Sequence, residues 1–439
     1  MLIRKVYDEM LEWKKSHHNK CLMIKGARQV GKTHIVREFG KNEYESFIEI
    51  NFIEEPSLKE IFSGNLDAES IYKRMTLNMR DIKLIPGKTL IFLDEIQVCG
   101  NARTAIKFLA EDNRYDVITS GSLLGLTYSE EADPEVEEPA SNPTGYEDFI
   151  TMYSLDFEEF LWANGYDSEK IKLLKEYFDS NEKVPDITNQ TYEELFREFI
   201  IVGGMPEVVA DFVVNKDFNS VDRIQQRIIT DYGFDIGKHA KGAEKVKVKK
   251  CYDSIPKQLS KELKKFQYSV VESGQTKKKY GNSITWLVDS ALVHICNNVR
   301  EPYIPLLGNA IDDQFKLYIN DTGLLCAMYG FETKKAILNN TIKGNAKGGI
   351  YENIISECLI KKGYKLYYYK PDSQHEIEFL IERDEEVIPV EVKAGNSATP
   401  SLNNFINEYK PSVAYKLING QLGVVDSKKT IPHYMILFV

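Results

Sequence analysis

Cysteine is scarce in this chain and is never paired by spacing. The six residues, Cys21, Cys99, Cys251, Cys296, Cys326 and Cys358, form no C-x-x-C, and most lie inside apolar runs. They read as buried thiols of a reducing compartment, which excludes a disulfide framework and a zinc-finger set. No run approaches the ~18–20 apolar residues of a membrane span. The opening stretch MLIRKVYDEMLEWKKSHHNK lacks the apolar segment of a secretory signal. The expectation is a cytoplasmic protein with no membrane partner. Positive charge is also short. A formal net charge of −10 argues against coating nucleic acid by bulk charge, and leaves a local basic site open. Internal repeats and long low-complexity segments are missing too.

What is present is a long, ordinary globular composition. The 439 residues are 43 % apolar and 28 % charged, enough for two to four cored domains. Residues 3–16 carry helical apolar spacing. CLMIKG, ESFIEINF, TLIFLDEIQ and YDVITSGS read as strands, and THIVREFGK as a helix with Gly40 as its C-cap. Strands alternating with helices predict an α/β domain with a mainly parallel sheet. The acidic stretch 127–145 reads as an exposed loop. SLDFEEFLWANG and YEELFREFIIVGGMPEVVADFV then turn helical. Residues 238–279 hold thirteen lysines against four acids. Helices there, followed by a hairpin from SITWLVDSALVHICNNV and DQFKLYINDTGLL, suit a winged-helix module. The last hundred residues read α-β-β-β-α-β: an amphipathic helix GGIYENIISECLIKKG, strands YKLYYYK, EIEFLIE and VIPVEVK, a helix SLNNFINEY, then strands SVAYKLI and YMILFV.

The stretch GARQVGKT, residues 26–33, is where chemistry first shows. Gly26 and Gly31 let the backbone turn tightly and approach oxygens closely. Together with Ala27, Arg28, Gln29 and Val30 they make a loop whose amides, with the following helix N-terminus, face phosphates. Lys32 reaches the β- and γ-phosphates and Thr33 ligates Mg²⁺. A strand precedes the motif and a helix follows it, as this chemistry requires. Some sixty residues on, the apolar strand TLIFLDEIQ ends in Asp94 and Glu95. Asp94 is placed to hold Mg²⁺ through water, and Glu95 to polarise the attacking water. One strand later Ser120, favoured over Ser122, is placed to feel the γ-phosphate. The cofactors expected are ATP and Mg²⁺, with hydrolysis or a binding switch as alternatives.

KCLMIKGARQVGKTHIVREFG, LIFLDEIQ, ARTAIKFLAED, SGSLLG, DFEEFLWANG and GGMPEVV together resemble the bacterial and archaeal AAA-type ATP-binding proteins that carry a C-terminal nuclease-like domain. The resemblance implies an AAA+ core in which a Gly-x-Pro element, here Gly204 and Pro206, lies over the nucleotide; a plain helix stop is the alternative. Arg103 is the candidate arginine finger, against an ordinary surface or capping arginine. AAA-type cores often complete their site across a subunit boundary, so a homo-oligomer is the self-partner implied.

Near the C-terminus, alternation in VIPVEVKAG puts Glu391 and Lys393 on one strand face, and Glu378 of EIEFLIE lies opposite its apolar neighbours. Glu352 sits early in the preceding helix. Two carboxylates and a lysine on one face can hold Mg²⁺ and a water that attacks a phosphodiester; a merely solvated face is the alternative. The element order with E…E…ExK resembles the PD-(D/E)xK nuclease superfamily. That resemblance implies metal ligands Glu378 and Glu391, a catalytic Lys393 and a helix acid Glu352. One departure is the acid of the second strand, usually Asp and here Glu378. The extra methylene shifts the carboxylate by ~1 Å, which matters for Mg²⁺. Lys238, Lys241, Lys245, Lys247, Lys249, Lys250 and the run 277–279 offer DNA phosphate contacts, or only a solvated face.

The expected architecture is therefore α/β: a P-loop AAA+ parallel sheet over 1–165 with a helical lid over 166–230. A winged-helix-like basic module over 231–334 and a restriction-endonuclease-like domain over 335–439 follow. Two functions fit. One is an ATPase regulating a nuclease-like domain that acts on DNA. The other is an ATP-dependent regulatory switch whose nuclease-like domain is inactive and serves binding.

Overall fold

A computed structural model describes residues 2–16, 19–122, 143–239, 242–395 and 398–439. Most of the acidic loop expected over 127–145, and Lys241, lie outside the described residues. The chain divides into two compact units, one of Arg4–Tyr153 with Asp289–Ala291, the other of Met1–Ile3, Ser154–Val288 and Leu292–Val439.

The first unit is built on β1 (Cys21–Gly26), β2 (Ser46–Asn51), β3 (Thr89–Asp94), β4 (Asp116–Ser122) and β5 (Glu147–Thr151). All pair in parallel, in the order β2-β3-β4-β1-β5. Every residue of β3 is buried, as an uninterrupted apolar run in a sheet covered on both faces requires. One apolar cluster joins Met23, Ile50 and Leu93 to Ile71 and Ile106. The other joins Leu22, Ile24 and Phe92 to Ile35 and Phe39. β5 is not announced by the sequence, because the charged Glu147 and Asp148 that open it and the exposed Phe149 break any apolar run. Gly40 does not cap its helix. The helix Lys32–Glu43 runs past it, and a Cβ at Gly40 would lie 2.2 Å from the Phe47 ring, so close helix–strand approach is what needs the glycine.

The second unit begins with helices Phe157–Ala163, Ser168–Ser180, Asp186–Val202, Pro206–Asn215, Phe218–His239 and Ala243–Leu259. Its sheet comprises β6 (Val293–Val299), β7 (Ala310–Ile319), β8 (Tyr367–Tyr369), β9 (Ile377–Arg383), β10 (Glu386–Val392), β11 (Ala414–Ile418), β12 (Gly423–Val425) and β13 (Lys428–Pro432). The order is β12-β13-β11-β10-β9-β8-β6-β7. The β6–β7 hairpin expected within 231–334 thus continues the sheet of the C-terminal region through a parallel β6–β8 pairing. A two-residue turn with Asp384 and Glu385 at φ 50° and 64° joins β9 to β10.

Two further sequence expectations change. The helix Asn345–Lys361 is not amphipathic, since every residue from Gly349 to Leu359 is buried. YMILFV is not a strand; His433–Phe438 forms a 3₁₀ turn whose first four residues are buried, a short apolar run that periodicity alone cannot assign.

Candidate nucleotide site and a C-terminal carboxylate–lysine cluster

The GARQVGKT loop follows β1 and opens into the helix Lys32–Glu43. Gly31 takes φ 96° at the helix start, a conformation that side chains resist. Gly26 is needed for approach: a Cβ there would lie 2.1 Å from the Met152 carbonyl oxygen. Ala27 and Val30 are buried, anchoring the loop, while Gln29 stands exposed at φ 64°. The Lys32 ammonium is 8 % exposed and donates to the carbonyls of Gly26 (3.1 Å) and Ala27 (2.8 Å). Burial lowers its pKa to about 8, against the attraction of Glu95 and Asp94.

Asp94 is the hub. Its Oδ2 accepts from Thr33 Oγ1 at 2.9 Å and from Asn51 Nδ2 at 3.1 Å. Its Oδ1 accepts from Ser120 Oγ and, at 3.2 Å, from the Glu95 amide. A hydroxyl and a carboxylate oxygen converging at one point are hard oxygen donors of the kind Mg²⁺ takes, so Thr33 and Asp94 would hold it. Bound there, Mg²⁺ would neutralise phosphate charge. Glu95 follows in left-handed backbone, φ 55° and ψ 45°. Its carboxylate accepts from Gln97 Nε2 at 2.5 Å.

Three more residues shape this site and were not read from the sequence. Asn51 ends β2 as Ser120 lies in β4, so the rule that polar residues at apolar strand ends face the site would have found it. Its Oδ1 also accepts from the amides of Ile53 and Glu54. Buried Arg4 donates to Val30 O at 3.2 Å and Tyr153 O at 2.7 Å, tying the loop to the end of this unit. No local signal marks it. Gln97, in the same LDEIQ run, is the third.

Arg103 pairs with Glu147, with side chains 12 % and 2 % exposed. That partner occupies the guanidinium a finger would extend. Gly204 and Pro206 lie in the second unit. The Gly204 amide donates to Asp321 Oδ2 at 2.7 Å, and its carbonyl accepts from the Leu155 amide at 2.7 Å. A Cβ at Gly204 would lie 2.0 Å from Leu155 O, so this glycine serves close backbone packing. Pro206 opens the helix Pro206–Asn215 at its first position.

In the C-terminal sheet, β9 and β10 pair with Val390 opposite Phe379. Extending that register by one residue sets Glu391 opposite Glu378, on the same face. Lys393 Nζ lies 3.0 Å from Glu378 Oε1 and 2.6 Å from Glu391 Oε1. Glu378 Oε2 accepts the Val392 amide at 3.2 Å, and Glu391 Oε2 is buried without a partner. Burial, then the neighbouring Glu378, push the Glu391 carboxyl up to about 8 against the pull of Lys393. Glu352 is elsewhere. It meets Lys316 at 3.2 Å, Lys264 at 3.0 Å and Tyr318 Oη at 3.1 Å. Lys316 continues to Glu376 at 2.6 Å, and Glu376 to Lys370 at 2.7 Å. Burial disfavours the charge on Glu352, but Lys316 and Lys264 override it and hold the carboxyl below its ordinary value. Among the described residues, no three His, Cys, Asp or Glu side chains form a metal-holding group.

Comparison with known proteins bears on the N-terminal part of the chain. Residues 18–161 match an AAA domain family. Residues 193–335 and 347–436 match two domains of unknown function, DUF8612 and DUF4143. No curated protein matches the chain. Among solved structures, a Walker-type ATPase of Pyrococcus abyssi is 14 % identical, over 75 % of this chain and 96 % of its own, with a TM-score of 0.44. The Pif1 helicase of Candida albicans is 14 % identical, over 44 % and 47 %, with a TM-score of 0.26. A signal-transduction ATPase with a tetratricopeptide sensor from Pyrococcus horikoshii is 13 % identical, over 80 % and 45 %, with a TM-score of 0.24. Those scores are too low to carry an argument, whereas the AAA match spans β1, the phosphate loop, Asp94–Glu95 and β5 together. The N-terminal part of this chain is a P-loop ATP-binding domain of the AAA type.

Proposed function

We propose that the chain hydrolyses ATP with Mg²⁺ and uses the cycle to switch a C-terminal nuclease-like domain that binds without cutting. The observation that carries the second half is the fate of the acids. Glu352 is tied up by Lys316 and Lys264, and Glu378 and Glu391 are bridged by Lys393. Three carboxylates open to one metal are what phosphodiester cleavage would need, and here they belong to two ion networks. Hydrolysis rests on Lys32, Thr33, Asp94 and Glu95, with Ser120 reporting the γ-phosphate through Asp94. Gly204 and Pro206 are the elements proposed to follow the nucleotide, and Glu378, Glu391 and Lys393 the binding face.

A second reading, active cleavage of DNA regulated by ATP, keeps one specific support: Glu378, Glu391 and Lys393 do share a face, and Glu391 Oε2 is unpartnered. DNA contact would come from the basic segment, where Lys249 and Lys250 already pair with Asp253 and Glu272. Self-association and a cytoplasmic site of action complete the proposal. Incubation with single- and double-stranded DNA, Mg²⁺ or Mn²⁺, with and without ATP, separates the readings. Binding without cleavage is expected. Cleavage that Lys393→Ala abolishes would replace the first reading by the second, and wild-type ATP turnover retained in Lys32→Ala would remove the nucleotide assignment.

A further inference from the structure

Resting on the ATP-hydrolysis reading, we infer that the side-chain amide of Gln97 is part of the hydrolytic machinery. With Glu95 it orients the attacking water. The Glu95 carboxylate has one hydrogen-bond partner among the described residues, Gln97 Nε2 at 2.5 Å. That contact fixes the amide's orientation, since a carboxylate accepts and only the NH₂ end donates. The other end, Gln97 Oε1, is buried and has no partner. An unpaired buried carbonyl of this kind is destabilising, so its persistence beside the candidate base calls for an acceptor role.

The chemistry fits both ends. A water attacking phosphorus has two protons to place. Glu95 takes one as general base, and Gln97 Oε1 accepts a hydrogen bond from the other, leaving a lone pair for the γ-phosphorus. The bond from the water oxygen to the γ-phosphorus forms and the bond from that phosphorus to the bridging oxygen of ADP breaks. The proton lost by the water goes to Glu95. The short Ile96–Val98 turn brings the pair together: Glu95 stands before it in left-handed backbone and Gln97 lies within it, so the i and i+2 side chains meet. Asp94, by contrast, already has four donors and needs no further positioning.

The test is steady-state ATP turnover by the full chain, with affinity read separately from a fluorescent ATP analogue. Gln97→Ala should lower kcat by about 10²-fold while nucleotide affinity stays within about 2-fold. Gln97→Asn, one methylene short of spanning the gap, should fall with it, and a thermal melt identifies any variant that fails to fold. In a Glu95→Gln background, adding Gln97→Ala should cost no further activity, because the two side chains act as one unit. If Gln97→Ala keeps kcat within about 3-fold of wild type, or loses kcat and affinity together, the inference is overturned while the ATPase reading stands. Unchanged turnover in Glu95→Gln alone would instead sink the base assignment, and the inference with it.

Discussion

Two buried charges make opposite statements about pH. Lys32 has its pKa lowered to about 8 by burial, from an ordinary 10.5. The unfolded chain therefore binds more protons than the folded one between those values, and folding gains stability as pH rises from about 8. Lys32→Met should remove that slope in urea denaturation of the nucleotide-free protein. ATP–Mg²⁺ should raise the melting temperature of wild type, by a stabilisation of about 2.7 kcal/mol at a hundred times Kd, and the same variant should lose that rise. Glu391 runs the other way. Burial and Glu378 raise its pKa from 4.5 to about 8, so stability is highest below the ordinary value and is lost as pH climbs through that window. With EDTA present, Glu391→Gln should flatten that fall and raise stability at pH 8 by on the order of 1–3 kcal/mol. A steeper fall would mean that the Lys393 bridge outweighs the burial of the carboxylate.

Elements meet in this protein where side chains are missing. Gly349, in the helix Asn345–Lys361, would place a Cβ 2.2 Å from Leu259 O at the end of the helix Ala243–Leu259. Backbone cannot yield as a side chain can. Gly349→Ala should cost about 1–3 kcal/mol in chemical denaturation despite the better helix propensity of alanine. A neutral result would show that the two helices separate easily. The sequence held the helix and its C-terminal Gly363, but read the helix as amphipathic. Periodicity reveals a face only when one side is wet, and here both sides are covered. β5 escaped for the reverse reason, since an edge strand that opens on two charged residues shows neither alternation nor a run.

At the scale of the second unit, buried ion pairs tie distant stretches of chain. Lys361 is 5 % exposed in its side chain and reaches Glu357 Oε1 at 2.6 Å, Ser154 Oγ at 2.9 Å and Leu155 O at 2.8 Å. Glu357 in turn accepts from the Thr322 amide and hydroxyl at 2.8 Å and 2.7 Å. Asp321, next door, holds the Gly204 amide. Removing one member leaves the others buried and uncompensated. Lys361→Met should therefore cost about 3–5 kcal/mol, measured by urea unfolding, and a loss under about 1 kcal/mol would show the network to be wetter than its burial implies.

The sequence by itself determined the phosphate loop, Asp94–Glu95 and the pairing of Glu391 with Lys393. Each is written within a few residues, where backbone geometry turns spacing directly into position. The same spacing put Glu378 on the right face, since alternation along a strand is local. Only tertiary structure decided which faces meet. It set Glu352 among Lys264 and Lys316, took Arg103 into a buried pair with Glu147, and brought Arg4 and Asn51 to the nucleotide site. Those partners lie tens of residues apart, and which ones meet depends on sheet order and helix packing, which no local pattern encodes.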